Sequence, residues 1–506
     1  MKLIILRNLY KIFIILNTNN NGDYMDYKEI KTLLIDNPDY IYKTINFNNH
    51  LLILLNIETI TSSTNINNFI LKQLNLFKNL EIKDIDNYLF NYLPCNNTKR
   101  ILKNEISKYL LNGFVILIID NYSILALEIK NDLARSISIS DYEKTIAGPK
   151  DAFVENHNTN LGLIRRRIKS LDLNFKEYEL GKYTKTKVSL IYINSIAKKE
   201  LINNVDSKLK NISIDGIIDS GYLRKYLDKS KSLFPNLKAT ERPDVASQAL
   251  LEGKVLILVD NSPDVLILPS FFVDYFHASD DYYQKPINIT FIRIIRFIAF
   301  LIACFLPAFY ISVTTHNPEF MPIKLLLSFI NQRLNVPFPA FLEAIFMIIA
   351  FEILRESDIK IPSSMGTSVS ILGGLVLGDA AVSAGIVSPI MIIVVAISAI
   401  SGLLMPSIET INSIRWYRFI LIILASILGG FGIFLGTILI LTNLADIKSM
   451  NLDYIYPFAP INFNELKDSI VKITTKRKKL RNPLLSNNLE REKLWKKLFL
   501  LFLFYF

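Results

Sequence analysis

The sequence predicts an α/β cytoplasmic domain of two related lobes, followed by an α-helical polytopic membrane domain with about four spans and one broken or re-entrant segment. Three observations predict this class. The 506 residues are 51% hydrophobic and only 20% charged, with a mean hydropathy of +0.30. Residues from about 25 to 285 mix charges with short apolar runs, none long enough to span a bilayer. From about residue 290, long apolar runs follow one another.

These patterns divide the chain into four parts. We predict a soluble N-terminal extension over 1–100, a cytoplasmic α/β domain over 101–285, a transmembrane domain over 286–445 and a basic tail over 446–506. The first residues resemble a signal peptide, but Arg7 and Lys11 interrupt the apolar run and no cleavage site follows, so no export signal is predicted. Two cysteines exclude a disulfide framework and a thiolate zinc site.

An internal repeat predicts the two lobes, which are centred on 113–130 and 253–270. The segment YLLNGFVILIIDN at 109–121 matches ALLEGKVLILVDN at 249–261. Each copy is typical of a helix end, a glycine in the left-handed conformation, a buried strand and an Asp-Asn turn into a second strand. Two related lobes explain the match more simply than two unrelated helix-glycine-strand units that happen to use the same turn residues.

Four apolar segments are candidate spans. They cover residues 297–313, 336–354, 386–405 and 419–441. The first has 17 residues and would be about 25 Å long as a helix, close to the lower limit for crossing a bilayer. The intervening segment 368–385 is apolar but rich in glycine, which favours a broken or re-entrant helix.

Basic residues predict the orientation. Lys285, Arg293 and Arg296 precede the first span, which favours a cytoplasmic N-terminal domain. Residues 472–497 contain ten Lys and Arg against two Glu, so four spans, which also leave the tail in the cytoplasm, are favoured over five. Four spans place Arg415 and Arg418 on the outer face, which opposes this choice.

Carboxylates in the membrane half are the candidate functional residues. Glu343 and Glu352 lie in the second span on opposite helix faces, so they cannot share one site. Glu352 precedes Arg355 by three positions, which favours an ion pair. Glu343 has no local partner, and two roles stay open for it, in an ion path or in a structural hydrogen bond. Asp379, in the broken segment, is the first candidate for an ion path, against a helix cap.

Small residues of the last span form a stripe. Ala425, Gly429, Gly432 and Gly436 recur at steps of four, three and four, which predicts close packing against another helix.

The sequence lacks a phosphate loop, a nucleophile elbow and a paired metal-ligand spacing. We therefore predict no enzyme activity, no metal site, no cofactor and no nucleic-acid partner, and we interpret the basic tail as a contact with membrane lipid.

Ordered segments along the chain resemble the GerA-type spore germination proteins. In the α/β part the resemblance rests on GPKDAFVEN at 148–156, NLGLIRRRI at 160–168, RPD at 242–244 and LEGKVLILVDN at 251–261. In the membrane part it rests on DYYQ at 281–284, VPFP at 336–339, FEILRE at 351–356, SI at 370–371, AAVSAG at 380–385 and VSP at 387–389. It covers about residues 110–470.

The resemblance implies the A subunit of a nutrient germinant receptor in the inner membrane of a bacterial spore. It implies a transporter-like B subunit and a C-type lipoprotein as partners, and a homo-oligomeric ion channel, expected to be a pentamer. One position departs from the family pattern, in which an amide usually occupies position 379 and often an acid position 383. Here Asp379 and Ser383 stand one helical turn apart, so the charge stays on the same helix face if the segment is helical.

Two other classes of function stay open. A secondary transporter would contain an inverted membrane repeat, which the sequence does not show. A non-conducting scaffold of the receptor would use the same carboxylates only to hold helices together.

Overall fold

A computed structural model describes most of the chain. It covers residues 37–47, 50–74, 82–91, 93, 95, 97–120, 122–131, 143–145, 147–228, 230, 232–360, 374, 378–472, 480–488 and 490. The apolar N-terminal residues, most of the predicted broken segment and residues 491–506 lie outside these ranges.

The first lobe is a five-stranded antiparallel sheet between two layers of helix. Its strands, in the spatial order β1-β2-β4-β5-β3, are β1 (Tyr40–Phe47), β2 (His50–Ile57), β3 (Thr98–Arg100), β4 (Phe114–Ile119) and β5 (Ser123–Glu128). Helical turns over Ser63–Leu74 and helix α1 (Ile82–Asn91) cover one face, and α2 (Ile106–Leu110) covers the other. Since both faces are covered, β4 is buried at every position and reads as a continuous apolar run.

The second lobe repeats this arrangement. Its strands, in the order β6-β7-β9-β10-β8, are β6 (Leu173–Leu180), β7 (Thr186–Ile193), β8 (Lys238–Thr240), β9 (Val255–Val259) and β10 (Val265–Leu268). Its helices are α3 (His157–Arg167), α4 (Lys199–Lys210), α5 (Ser220–Leu227) and α6 (Pro243–Leu251). Helices α3 and α6 cover one face, and α4 and α5 cover the other.

The sequence repeat occupies corresponding places in the two sheets. Gly113 and Gly253 each end the helix before the fourth strand of their lobe, with φ of +80° and +95°. A glycine reaches these angles without the steric cost that a side chain would add. The strands that follow, β4 and β9, pair with β2 and β7 on one side and with β5 and β10 on the other.

The first sheet begins upstream of the boundary that the sequence places at residue 100. Strands β1 and β2 form its outer hairpin, paired from Tyr40↔Ile57 to Phe47↔His50. The sequence analysis did not predict these strands because the residues around them are rich in asparagine, which is depleted from strands in general. A buried ion pair joins the lobes, with Arg165 Nη2 of α3 lying 2.9 Å from Asp39 Oδ2.

Five long helices are described in the membrane half. They are α7 (Pro286–Thr315), α8 (Ile323–Arg333), α9 (Ala340–Lys360), α10 (Pro389–Leu403) and α11 (Ile408–Asp446). Among the described residues, α7 and α11 are long and apolar enough to cross a membrane. The predicted second span falls within α9, which carries Glu343, Glu352, Arg355 and Glu356, and the third within the 15-residue α10. By length and composition, α7 agrees with the first predicted span, and α11 contains the residues of the fourth.

The predicted fourth span is wrong as a single crossing, because α11 reverses at Gly429. The backbone angles there are φ +61° and ψ −137°, which no helix adopts. A side chain on Gly432 would overlap the Leu424 carbonyl, and a Cβ on Gly436 would lie 2.5 Å from Leu421 Cδ2. Residues so far apart along a straight helix meet only if its two arms, 408–428 and 430–446, lie side by side and antiparallel.

Both ends of this hairpin contact the second α/β lobe. At the start, Arg224 Nη1 lies 2.6 Å from Glu409 Oε1, and the ring of Tyr417 stacks on Phe234 at 4.8 Å. At the end, Asn236 Nδ2 donates to the Lys448 carbonyl at 3.1 Å. The hairpin therefore leaves the α/β domain and returns to it, and the chain after residue 446 lies on the same side as that domain.

The base of α7 is tied to the same domain. Two basic residues that predicted the orientation, Arg293 and Arg296, both pair with the buried Asp281, at 2.9 and 3.0 Å. After the hairpin, two short strands (Lys448–Ser449 and Leu452–Asp453) and helix α12 (Phe463–Ser469) lie near this junction, where His277 Nε2 is 2.8 Å from the Ser469 carbonyl oxygen.

Candidate functional site in the membrane half

Glu343 is buried at the meeting point of two helices. It lies in the first turn of α9 and is only 1% exposed. Its Oε2 accepts a hydrogen bond from the backbone N–H of Ser388 at 2.9 Å and another from the Ser388 hydroxyl at 2.8 Å. Its other oxygen lies 3.4 Å from Arg333 Nε at the end of α8.

Ser388 is the residue that precedes the first turn of α10, and Pro389 opens that helix. The N–H groups at a helix start have no partner within the helix and carry a partial positive charge, so a carboxylate is stabilised there. Glu343 thus supplies from α9 the acceptor that α10 lacks. Of the two roles that the sequence left open, this geometry favours the structural hydrogen bond.

Glu352 stands at the centre of an arginine cluster. The predicted partner Arg355 lies 2.9 Å away, from Nη2 to Oε2. Two further arginines from the first arm of α11 join it, with Arg415 Nε 3.1 Å from Oε2 and Arg418 Nη2 3.1 Å from Oε1. Arg418 also donates to Ser398 Oγ on α10 at 3.4 Å.

The cluster corrects the predicted place of Arg415 and Arg418. The sequence placed them on the outer face, because it treated 419–441 as the only span between them and the tail. In the structure they lie within three turns of Glu409, which contacts the α/β domain, so they are on the domain side. The sequence analysis did not predict that they pair with Glu352. Two arginines three positions apart beside an apolar segment were a signal, because charged residues in such a place usually pair with an acid.

Asp379 and Ser383 are exposed on one side of a helical turn at 378–383, whereas Ala381 in the same turn is buried. Among the described residues, Asp379 has no hydrogen-bond partner and no ion pair. In this respect it differs from Glu343 and Glu352, whose carboxylates have hydrogen-bond or ion-pair partners within the chain.

An unmatched carboxylate on the outside of a membrane helix is unfavourable against lipid, because an acid there costs roughly 2.5–3.5 kcal/mol at the bilayer centre. It is stable only where water or another protein surface covers it. The face that carries Asp379 and Ser383 is therefore suited to a water-filled path or a contact between subunits.

The predicted small-residue stripe lies inside the hairpin. Ala425 is fully buried, and Gly432 and Gly436 lie where the second arm meets the first. Gly429 forms the turn itself, against the side chain of His316 at the end of α7. The close helix contact is thus between two arms of the same chain.

The fold combines a two-lobed α/β domain with a helical part that, among the described residues, contains two helices long and apolar enough to cross a membrane. Residues 28–484 match the family model described as the Bacillus/Clostridium GerA spore germination protein. The chain therefore belongs to the GerA family, and the resemblance found in the sequence is confirmed.

Relatives in Bacillus subtilis (strain 168) agree with this assignment. The chain is 39% identical over 371 residues to the uncharacterized membrane protein YfkQ, covering 73% of this chain and 72% of that protein. It is 40% identical over 340 residues to spore germination protein KA, covering 67% and 62%. It is 37% identical over 383 residues to spore germination protein B1, covering 75% and 79%.

One solved structure is also similar. It is the N-terminal domain of the A subunit of the Bacillus megaterium spore germinant receptor GerK3, with 28% identity and a TM-score of 0.37. The alignment covers 48% of this chain and 93% of that one.

Proposed function

We propose that this chain is the A subunit of a nutrient germinant receptor in the inner membrane of a bacterial spore. In this proposal, copies of the chain assemble into a cation channel, expected to be a pentamer, whose path runs beside Asp379 and Ser383. A transporter-like B subunit and a lipoprotein C subunit are its partners, as the family resemblance implies. Nutrient binding to the receptor opens the channel and releases cations from the spore core.

The observation that carries the proposal is the exposed Asp379. Its carboxylate and the Ser383 hydroxyl occupy one face of a helical turn and are unmatched within the described chain. Assembly of several copies around this face would surround a water-filled path with carboxylates, which attract cations and repel anions.

The orientation belongs to the same proposal. Lys285 precedes α7, and Arg293 and Arg296 lie in its first three turns, before the apolar run 297–313 and on the side of the α/β domain, as basic residues at a cytoplasmic flank do. The hairpin contacts support a tail on that same side. We therefore assign the α/β domain and the tail to the cytoplasm, with an even number of crossings between them.

A non-conducting scaffold is the second candidate. It is favoured by Glu343 and Glu352, since both acids hold helices of the same chain together. A scaffold would need no conducting residue, and Asp379 would then contact a partner subunit.

Ion flux from liposomes separates these functions. The full chain is reconstituted alone and with its B and C partners, and potassium efflux is recorded with and without nutrient. A channel gives nutrient-dependent efflux that does not saturate as a carrier does. Silence from a complex shown to be assembled and nutrient-binding would favour the scaffold, and saturable, gradient-coupled uptake would identify a secondary transporter.

A further inference from the structure

An open groove of about 530 Å³ lies on the membrane half between α9 and the first arm of α11. We call it the arginine groove. The residues that line it include Ile349, Ile353, Glu356, Lys360, Arg415 and Phe419. Glu352 also faces it and connects it to the arginine cluster described above.

The charges beside this groove do not balance. Three guanidinium groups, those of Arg355, Arg415 and Arg418, surround the single carboxylate of Glu352. Within the described ranges, the buried Nε atoms of all three have no hydrogen-bond partner. Arg415 Nε is close to Glu352 Oε2, but the angle is too poor for a hydrogen bond. The cluster has three positive charges against one negative charge, and Arg415, which lines the groove, presents this excess to an anion there.

The groove is polar at one end and apolar at the other. Glu352 and Arg415 mark the level of the cluster, and Lys360 lies two turns of α9 further toward the α/β domain. In the opposite direction, Ile349 and Phe419 continue the groove along the two helices, and Ile349 is 47% exposed. A phosphate at the charged end would leave an acyl chain free to follow the apolar end into the bilayer.

We propose that the arginine groove binds an anionic phospholipid, with its phosphate at Arg415 and the cluster and its acyl chain against Ile349, Ile353 and Phe419. Guanidinium groups bind phosphate oxygens through paired hydrogen bonds, and basic pockets between membrane helices on the cytoplasmic side bind lipid headgroups. The site ties α9 to the hairpin that contacts the α/β domain. It requires a membrane location but not channel activity, so it stands if the chain is a scaffold.

Lipid titration tests the site directly. The full chain is purified, delipidated and titrated in native mass spectrometry with phosphatidylglycerol, with diacylglycerol of the same acyl chains, and with glycerol phosphate. The proposal predicts saturable binding of phosphatidylglycerol and at least tenfold weaker binding of the two fragments. Equal affinity for diacylglycerol would show that the phosphate is not recognised, and equal affinity for glycerol phosphate would make this a free-phosphate site. Either result would overturn the proposal.

Substitutions locate the binding. R415Q is expected to weaken phosphatidylglycerol binding about fivefold, because one basic side chain is removed from the headgroup, and R415K is expected to recover part of the loss. The matched control is K324Q, which removes an exposed cation from α8, away from the groove. Equal binding by wild type and R415Q would overturn the assignment.

A cross-linking experiment retains every charge of the cluster and does not depend on the folding of R415Q. Ile353, which is 61% exposed in the groove, is replaced by a photoreactive phenylalanine analogue in the full chain in phosphatidylglycerol vesicles. A phospholipid adduct as the main product supports the proposal. A cross-link to a second copy or to a partner subunit would overturn it and assign the groove to a protein interface.

Discussion

Glu343 and Ser388 join two helices of the membrane half through one carboxylate oxygen, which accepts both the backbone N–H and the hydroxyl of Ser388, at 2.9 and 2.8 Å. The acid is 1% exposed, so its charge is met by Ser388, by Arg333 and by the start of α10. The contact fixes the start of α10 against the first turn of α9. Its surroundings explain this buried acid without an ion path.

Replacing Glu343 tests this structural role. E343Q keeps an acceptor but loses the charge, so we expect the free energy of unfolding to fall by about 1 kcal/mol. E343A leaves the Ser388 N–H buried without an acceptor, and we expect a loss of about 3 kcal/mol. Denaturant unfolding of the detergent-solubilised chain measures both. The control is D379N, which changes an exposed side chain and should alter stability by less than about 0.5 kcal/mol. Unchanged stability in E343A would contradict the structural role.

Gly429 and Gly430 form a matched pair for the hairpin turn. G429A forces a side chain into φ +61° and against His316 Cβ, which its Cβ would approach to 2.7 Å. We expect a loss of at least about 2 kcal/mol. G430A adds the same methyl group to a helical position whose nearest neighbour is 3.6 Å away, and it should be neutral or stabilising by up to about 1 kcal/mol. Thermal unfolding of the two variants decides the point, and equal effects would argue for a continuous helix.

The Arg224–Glu409 pair connects the second lobe to the hairpin. Its atoms lie 2.6 Å apart, and both side chains are partly exposed. We expect R224E to reduce nutrient-dependent flux roughly two- to fivefold, because a partly exposed ion pair contributes a free energy that corresponds to a change of about this size. The double variant R224E/E409R should recover most of the loss, because the exchanged charges attract again. Independent, additive effects of the two substitutions would show that the pair does not couple the domain to the membrane.

Asp264 gives the structure a pH dependence. Burial, and after it the nearby Glu241, raise the pKa of Asp264 to about 6. An unfolded aspartate has a pKa of about 3.9, so between pH 4 and 6 the folded chain binds more protons than the unfolded chain. Wild-type stability should therefore rise as the pH falls from 7 toward 4, relative to D264N, which cannot titrate. Melting temperatures of both proteins across this range measure the difference, and parallel curves would exclude the shift.

Part of this structure can be predicted from the sequence because its signals are local. Gly113 and Gly253 indicate where a helix ends and a strand begins, and the strands that follow them are continuous apolar runs. Glu352 and Arg355 are three positions apart on one helix, so their pairing follows from helical geometry alone.

Other features depend on contacts that are distant along the chain. Arg415 and Arg418 pair with Glu352 across more than sixty residues, and only the packing of α11 against α9 brings them together. The reversal at Gly429 was missed because Ala425, Gly432 and Gly436 suit the face of a straight helix as well as the inside of a hairpin. No charged or proline residue interrupts 419–441, and the pair Gly429-Gly430 does not by itself indicate a turn there, because glycine is also frequent in membrane helices.

We propose that Asp379 faces the ion path, and this position is tested by the reversal potential of the reconstituted receptor in a salt gradient. We expect the wild type to be selective for cations, D379E to keep that selectivity, and D379N to shift the reversal potential toward zero because the carboxylate is lost. Conductance and selectivity that are the same in D379N as in the wild type would contradict the claim and remove Asp379 from the path.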